Sequence, residues 1–553
     1  MNRRVLWMPL GVVGVAAVVS AAVAASPISG PSLTSVPAPN TKAVGYAPWN
    51  TISQELVEVI RAQGSTPLEN PQGITSFYGY QNDVPSAADP LVPQMVPTAG
   101  VATEAQKTEP DKNTYLVFEH GLPGADGQYD YGTDFLFQGH EIAARVNGAP
   151  QGYITRINLD ADAAHRVTLL ATKDSDGNAL PVIDGSTWDP FAQKLLFTWE
   201  GNATSGGGVW QSNLAVPATV DALTASIGRG GFEGIQNDSA GNLWIVEDIG
   251  GANKLDGATS TPARRPNSFV YRFVPDSPGD LTKGKLQALQ VLRADGTPIT
   301  FESQLPMNSP DQVALHTYGN TFATKWVTVH DTATAPAGSF DANAAAKAAH
   351  ATPFKRPENG VFRPGTSFRE FYFDETGDTN ATSPENPTAG GWGSIMKLTQ
   401  PSPTADSGKL TLFYYSRQAT AGLDNVQFLA RDSLIAVQDM GDTLHAQSNA
   451  LDSSFVFDVN ADYSQAGTTP VRWLAEGRDP SATIDSAGGG FGKNDGDNEI
   501  TGIHISDGDP SVHGILGEKI PNVFHAGWRW FWNQQHGDNI AWEVRPAAGE
   551  GDR

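Results

Sequence analysis

The sequence predicts an all-β chain arranged as a β-propeller with long inserted loops and minor helices, and three observations carry that reading. The 553 residues include 58 Gly and 38 Pro, a composition suited to many turns. Short apolar runs rich in β-branched and aromatic residues recur between turn residues, with few long helical periods. A unit also repeats at wide intervals, in which an apolar strand ends in acidic residues and then a Gly or Asn turn.

Taken in order, the chain opens with Arg3 and Arg4, an apolar run broken by Pro9, and Ala22-Val23-Ala24 as a small-residue cleavage site. That pattern reads as a signal peptide over residues 1–25, with a membrane anchor as the competing reading of the same run. A Pro/Ser/Gly-rich leader tail over 26–50 follows, then one propeller domain over 51–553. No later stretch is apolar for long enough to span a bilayer, so the expectation is an exported protein, secreted or periplasmic, with no integral span after cleavage. With no Cys, disulfides and a cysteine-linked lipid are excluded, and the exported fold relies on core burial, sheet hydrogen bonds and bound metal.

Charge narrows the partners. Thirty-six basic residues face 60 acidic ones, a formal net charge of −24. This argues against nucleic acid, and it repels an anionic substrate unless bound cations reverse the local field.

Apolar spacing predicts a helix over Thr51–Gln63 and a second over Asp341–His350, the latter equally readable as an alanine-rich loop. The repeating unit is read at YLVFEHG (115–121), KLLFTWEGN (194–202), NLWIVEDIGG (242–251), EFYFDETGD (370–378) and SLIAVQDMGD (433–442), with a variant ending in His330 and Asp331. In a propeller, corresponding strands point their ends at a shared axis, so acids far apart in sequence meet at one mouth. An ordinary solvated turn is the alternative for any single instance.

Four segments then stand out as carriers of chemistry. Glycines flank Glu233 in the run Gly228–Ile235, which leads into the strand ending in Glu247 and Asp248. Pro357 stiffens the link between Arg356 and Glu358, a guanidinium suited to phosphoryl oxygens beside a carboxylate suited to metal. Asp424 and Asn425 precede the strand that ends in Asp439, offering oxygen ligands of the kind Ca²⁺ takes. The run from Asp497 through Glu499 to Gly502, with the later Asn533–Gly537, is polar beside apolar and reads equally as a hydrogen-bonded hairpin.

Without thiolates, these Glu, Asp and Asn oxygens favour Ca²⁺, Mg²⁺, Mn²⁺ or oxygen-ligated iron over structural zinc. The loops Asp174–Asn178 and Asn494–Asp497 look calcium-like but lack the EF-hand pattern and read as turns first. Neither a Gly-x-Ser-x-Gly elbow nor a phosphate-cradling Gly-rich loop is present. Among the histidines, His120, His140, His330 and His536 lie near polar clusters, each more simply a hydrogen-bonded structural residue. The run Trp528–Trp532 reads as packing.

In order and spacing, GYITRINLD (152–160), GFEGIQNDSAGNLWIVED (231–248), SFVYRFVP (268–275), FKRPENGVF (354–362), LDNVQF (423–428), NEITGIHIS (498–506) and the NQQHG segment resemble the PhoX-type family of secreted bacterial alkaline phosphatases, over about 110–540. The resemblance implies six blades, a cluster of calcium and iron ions on the axis, and hydrolysis of a small phosphate ester. By position it makes Glu233 and Glu358 metal ligands and gives Arg356 the substrate phosphate. Glu200 stands where an acid follows a cysteine iron ligand in the family, but the preceding residue here is Trp199, which removes the thiolate. Asn359 also replaces a typical Asp. The expected metal set is Glu200, Glu233, Glu247, Glu358, Asp424, Asp439 and Glu499, with Arg356 catalytic. Two other functions fit the same scaffold: a lactonase-like propeller with one divalent ion, and a non-enzymatic exported propeller that binds calcium.

Overall fold

The computed structural model describes residues 31–41, 50–64, 66–71, 76–79, 108–141, 144–146, 149–201, 204, 206–251, 253–254, 263–301, 309–477, 499–535 and 539–547. Residues 1–30, which hold the expected signal peptide, lie outside the described residues, as do 494–497 and His536.

Strands dominate. Six innermost strands, Pro110–Val117, Ser186–Asp189, Phe232–Asn237, Gly360–Phe362, Leu423–Ala430 and Glu499–Ser506, neighbour one another in closed cyclic order, and each begins its own blade. Antiparallel partners extend each blade outward; the first runs through Asp134–His140, Ile154–Asn158 and Val167–Ala171. The third and fourth blades share one nine-stranded sheet, because Gly284–Leu292 also pairs with Thr321–Asp331.

The predicted helix over 51–63 is instead two strands, Thr51–Ile52 and Leu56–Ala62. They form the outer strands of the fifth and sixth blades, pairing with Val471–Ala475 and Ile540–Pro546. Tertiary pairing overrides the helical spacing here, since the open sheet edges take up these residues' backbone groups. Pairing of 51–62 with strands of the fifth and sixth blades closes the ring. Residues 31–41 are fastened to the same region: the Val36 amide donates to the Arg472 carbonyl at 2.8 Å, and the Asn40 amide donates to the carbonyls of Ala475 and Glu476. The second predicted helix is present as Ala342–Ala348, capped by the Asp341 carboxylate, which accepts the Ala344 amide. Among the described residues, no helix is long and apolar enough to cross a membrane.

The core is divided among the seams between blades. Trp244, Leu289, Phe362 and Phe371 join the third and fourth blades; Phe428, Phe455 and Tyr372 join the fourth and fifth; Trp473, Trp530 and Trp532 join the fifth and sixth. Comparable clusters fill the other three seams. The tryptophans of 528–532 therefore pack as expected, with Trp473 and Trp530 ring centroids 4.4 Å apart. Each seam buries apolar side chains from two blades, so burial both stabilises the ring and fixes where the innermost strands start.

Candidate metal and phosphate site

Every innermost strand starts at the same mouth, and every one carries a carboxylate there: Asp111, Asp184, Glu233, Glu358, Asp424 and Glu499, one per blade. The second strand of a blade runs antiparallel and ends at that mouth, adding Glu141, Glu200, Asp248, Asp374 and Asp439. Four of the repeating units seen in sequence are these second strands. Two are not. The unit at 115–121 belongs to an innermost strand, so its Glu119 and His120 emerge exposed on the opposite face. His330 and Asp331 end an outer strand, where the His330 ring stacks on Phe340 at 3.7 Å.

Two sets of three side chains bring one carboxylate oxygen each within 4.8 Å of the others: Glu141, Asp184 and Glu200, and Glu200, Glu233 and Asp248. Glu200 belongs to both. Gly234 makes part of this convergence possible. A Cβ there would lie 2.8 Å from Asn359 Cα, so only glycine lets the third and fourth blades approach closely enough for the Gly234 amide to donate to the Glu358 carbonyl at 2.8 Å.

Crowding of like charges in a dry mouth has the expected electrostatic consequence. Burial first, and neighbouring carboxylates next, hold Asp184, Glu233, Glu358, Asp424 and Glu141 well above the ordinary carboxylate range. Burial raises Asp111 to about 6 against a hydrogen bond from Thr501, and it raises Glu200 to about 7 with Asp248 adding to it. Glu200 keeps solvent-exposed surface while ringed by carboxylates; burial leads its shift and the Asp248 charge follows. Such a ring is relieved by protons or by cations. The oxygens are hard donors, and buried Asp248 Oδ1 and Asp374 Oδ2 have no hydrogen-bond partner among the described residues, a costly state that a hard divalent cation would remove. The donor set therefore fits calcium-type ions.

Two cations belong to the protein itself. Lys112, buried, lies among Asp111, Asp424, Asp374 and Asp184, and its ammonium donates to Asn425 Oδ1 at 3.4 Å. Arg356 stands at the mouth, with Nε 2.8 Å and Nη2 2.7 Å from Asp248 Oδ2, and Nη2 3.6 Å from Glu358 Oε1. Its φ of 59° is left-handed, an unfavourable conformation for a side-chain-bearing residue. The neighbouring buried Lys355 holds it there: Lys355 pairs with Asp378 at 2.9 Å and with Glu385, its amide donates to Glu375 Oε1, and the Thr376 amide donates to the Arg356 carbonyl. The Arg356 side chain keeps 21 % of its surface exposed, enough to meet a ligand entering the mouth.

Of the sequence-predicted set, Glu200, Glu233, Glu358, Asp424, Asp439, Glu499 and Arg356 meet at this mouth, and Glu247 does not. Glu247 Oε2 accepts from the Phe269 amide, the Tyr271 hydroxyl and Asn343 Nδ2, all within the third blade and the 342–348 helix. Asp248 takes the place expected of it, because alternate residues of a strand point to opposite faces. Trp199 fills the position of the family's cysteine with packing, its ring 6.0 Å from Trp210. Asn359 accepts the Gly360 amide, while its own amide donates to Asp374. His140 is structural, buried between Thr108 and Thr155 and driven down to about 3 by burial. The loop at 174–178 is an Asx turn, with Asp174 Oδ1 accepting the Asp176 and Asn178 amides.

Sequence reading missed Asp111, Asp184, Glu141 and Asp374 as site residues. A signal for two of them was present: Asp184 to Glu200 and Glu358 to Asp374 repeat the fifteen- or sixteen-residue spacing of Glu233 to Asp248 and Asp424 to Asp439. That spacing is one hairpin with both ends at the mouth.

Residues 260–509 match the model of the family described as alkaline phosphatase PhoX. The PhoX of Pseudomonas fluorescens in complex with vanadate, a transition state analogue, superposes with a TM-score of 0.52 at 12 % identity, covering 94 % of this chain and 98 % of that one. That likeness carries the propeller fold. Sqt1 of Chaetomium thermophilum reaches a TM-score of 0.30 at 11 % identity, over 80 % of this chain and 96 % of its own, and adds nothing to the assignment. No curated protein matches the sequence.

Proposed function

We propose, from the premise that this chain is PhoX-like over residues 260–509, that it is a metal-dependent hydrolase of small phosphate esters. The observation that carries the reading is Arg356, a partly exposed guanidinium locked by Asp248 and Glu358 at the rim of a ring of carboxylates.

The chain's own residues divide the work. Arg356 receives the phosphoryl group and stabilises charge on its oxygens, while Asp248 and Glu358 hold the guanidinium so that no side-chain reorganisation accompanies binding. Lys355 keeps the Arg356 backbone in its left-handed conformation through its buried ion pairs. Glu141, Asp184, Glu200, Glu233 and Asp248 would hold the hard cations, with Glu358, Asp424, Asp439 and Glu499 around them. When bound, such cations supply the positive charge that offsets both the ring and the phosphate, and they lower the pKa of water. Calcium suits the all-oxygen donors, and Trp199 leaves the iron of the resembled family without its thiolate. Two carboxylate triads sharing Glu200 favour more than one ion, against a single-metal lactonase.

The sequence features at Arg3, Arg4 and Ala22–Ala24 support export to the periplasm or medium as part of this reading. The test is hydrolysis of a generic phosphomonoester with added Ca²⁺, with and without chelator. Turnover that chelator abolishes and Ca²⁺ restores is expected; no chelator-sensitive turnover at any pH would rule the reading out.

A further inference from the structure

The innermost strands start at the acidic mouth and end on the opposite face, and on that far face lies a groove of about 700 Å³ formed by turns of the fourth blade, with Arg431 of the fifth at its side. It is lined by Arg363, Arg369, Lys409 and Arg431, with Glu370 as the acidic member. Glu370 is already matched, lying 3.1 Å from Arg363 and 3.0 Å from Lys397, and Arg363 pairs further with Asp432. Arg369, Lys409 and Arg431 remain, all exposed and with no ion pair among the described residues. The Arg369 guanidinium is oriented by its Nε, which donates to the Thr366 carbonyl at 2.8 Å, and Arg431 Nε lies against Gly365.

In a chain of net charge −24, three unneutralised cations around one concavity make a local field of the opposite sign. We propose that this groove is an anion-binding site for a compact polyphosphorylated ligand, separate from the acidic mouth. Guanidinium forks match phosphate oxygens bidentately, three cations answer several charges, and hydroxyls of Thr399 and Ser407 add donors along the groove. Its volume is that of a small-molecule site rather than of a macromolecular interface. No residue of the acidic ring lines the groove, so ligand binding there is independent of the proposed hydrolysis.

The experiment is calorimetric titration of the full chain with tripolyphosphate, and with orthophosphate in parallel, at two salt concentrations. An Arg356→Ala background keeps the mouth from contributing. The groove variant Arg369→Ala/Lys409→Ala/Arg431→Ala is compared with Lys173→Ala/Lys283→Ala/Lys285→Ala, which removes the same charge away from the groove; circular dichroism checks folding. The groove variant is expected to weaken tripolyphosphate by about tenfold or more and to flatten the salt dependence, while the second variant changes little. Equal weakening in both variants, orthophosphate binding as tightly as tripolyphosphate, or no measurable binding by the unaltered groove would each overturn the proposal.

Discussion

Replacing Glu247 with glutamine is expected to remove a pH-dependent loss of stability while leaving metal content unchanged. The carboxyl is fully buried at the end of the second strand of the third blade, and burial pushes it up to about 8 against three hydrogen bonds that oppose the shift. Because the folded value is raised, the folded chain keeps this proton over a pH range in which the unfolded chain has lost it. The associated stability is complete below the ordinary value of 4.5 and is lost as pH rises to about 8. Between pH 5 and pH 8 that is about three units at ~1.4 kcal/mol each, or ~4 kcal/mol. Glutamine has nothing to titrate, and its amide oxygen still accepts from the Phe269 amide and Asn343. Urea midpoints for both proteins at pH 5, 7 and 9 should therefore converge on the acid side and separate on the alkaline side, with the variant gaining. A constant difference across that range, or loss of bound metal from the variant, would refute the assignment of Glu247 to packing.

Arg356→Lys keeps the charge but loses the fork held by Asp248, and kcat/KM for a phosphomonoester should fall by about a hundredfold or more while the urea midpoint moves little. Gly234→Ala places a Cβ 2.8 Å from the Asn359 backbone; it should cost about 1–3 kcal/mol in denaturant unfolding and reduce turnover through displacement of Glu358.

What the sequence made legible follows from how propellers are built. Acids at strand ends and acids in glycine-flanked, Arg-Pro-Glu or Asp-Asn segments are local patterns, so Glu200, Asp439, Glu233, Glu358 and Asp424 were visible as candidates before any fold was known. Which acids share a face is not local. Glu247 and Asp248 are adjacent in sequence yet point into different environments, a distinction set by strand pleat and by the helix that supplies Asn343. Asp111 lay hidden because the loop between its strand and Glu141 is long, which breaks the hairpin spacing that the second to fifth blades display. The segment 51–63 misled for a related reason: its apolar spacing suits a helix, but the blades into which Thr51–Ile52 and Leu56–Ala62 fit are completed by strands more than 400 residues later. No local pattern reports a partner at that distance.

Metal bound per chain tests the central claim most directly, measured by elemental analysis after dialysis against calcium. More than one hard divalent ion per chain is predicted, falling when Glu200, common to both carboxylate triads, is changed to glutamine. A chain that retains no divalent ion, or whose metal content is indifferent to Glu200→Gln, would contradict the account.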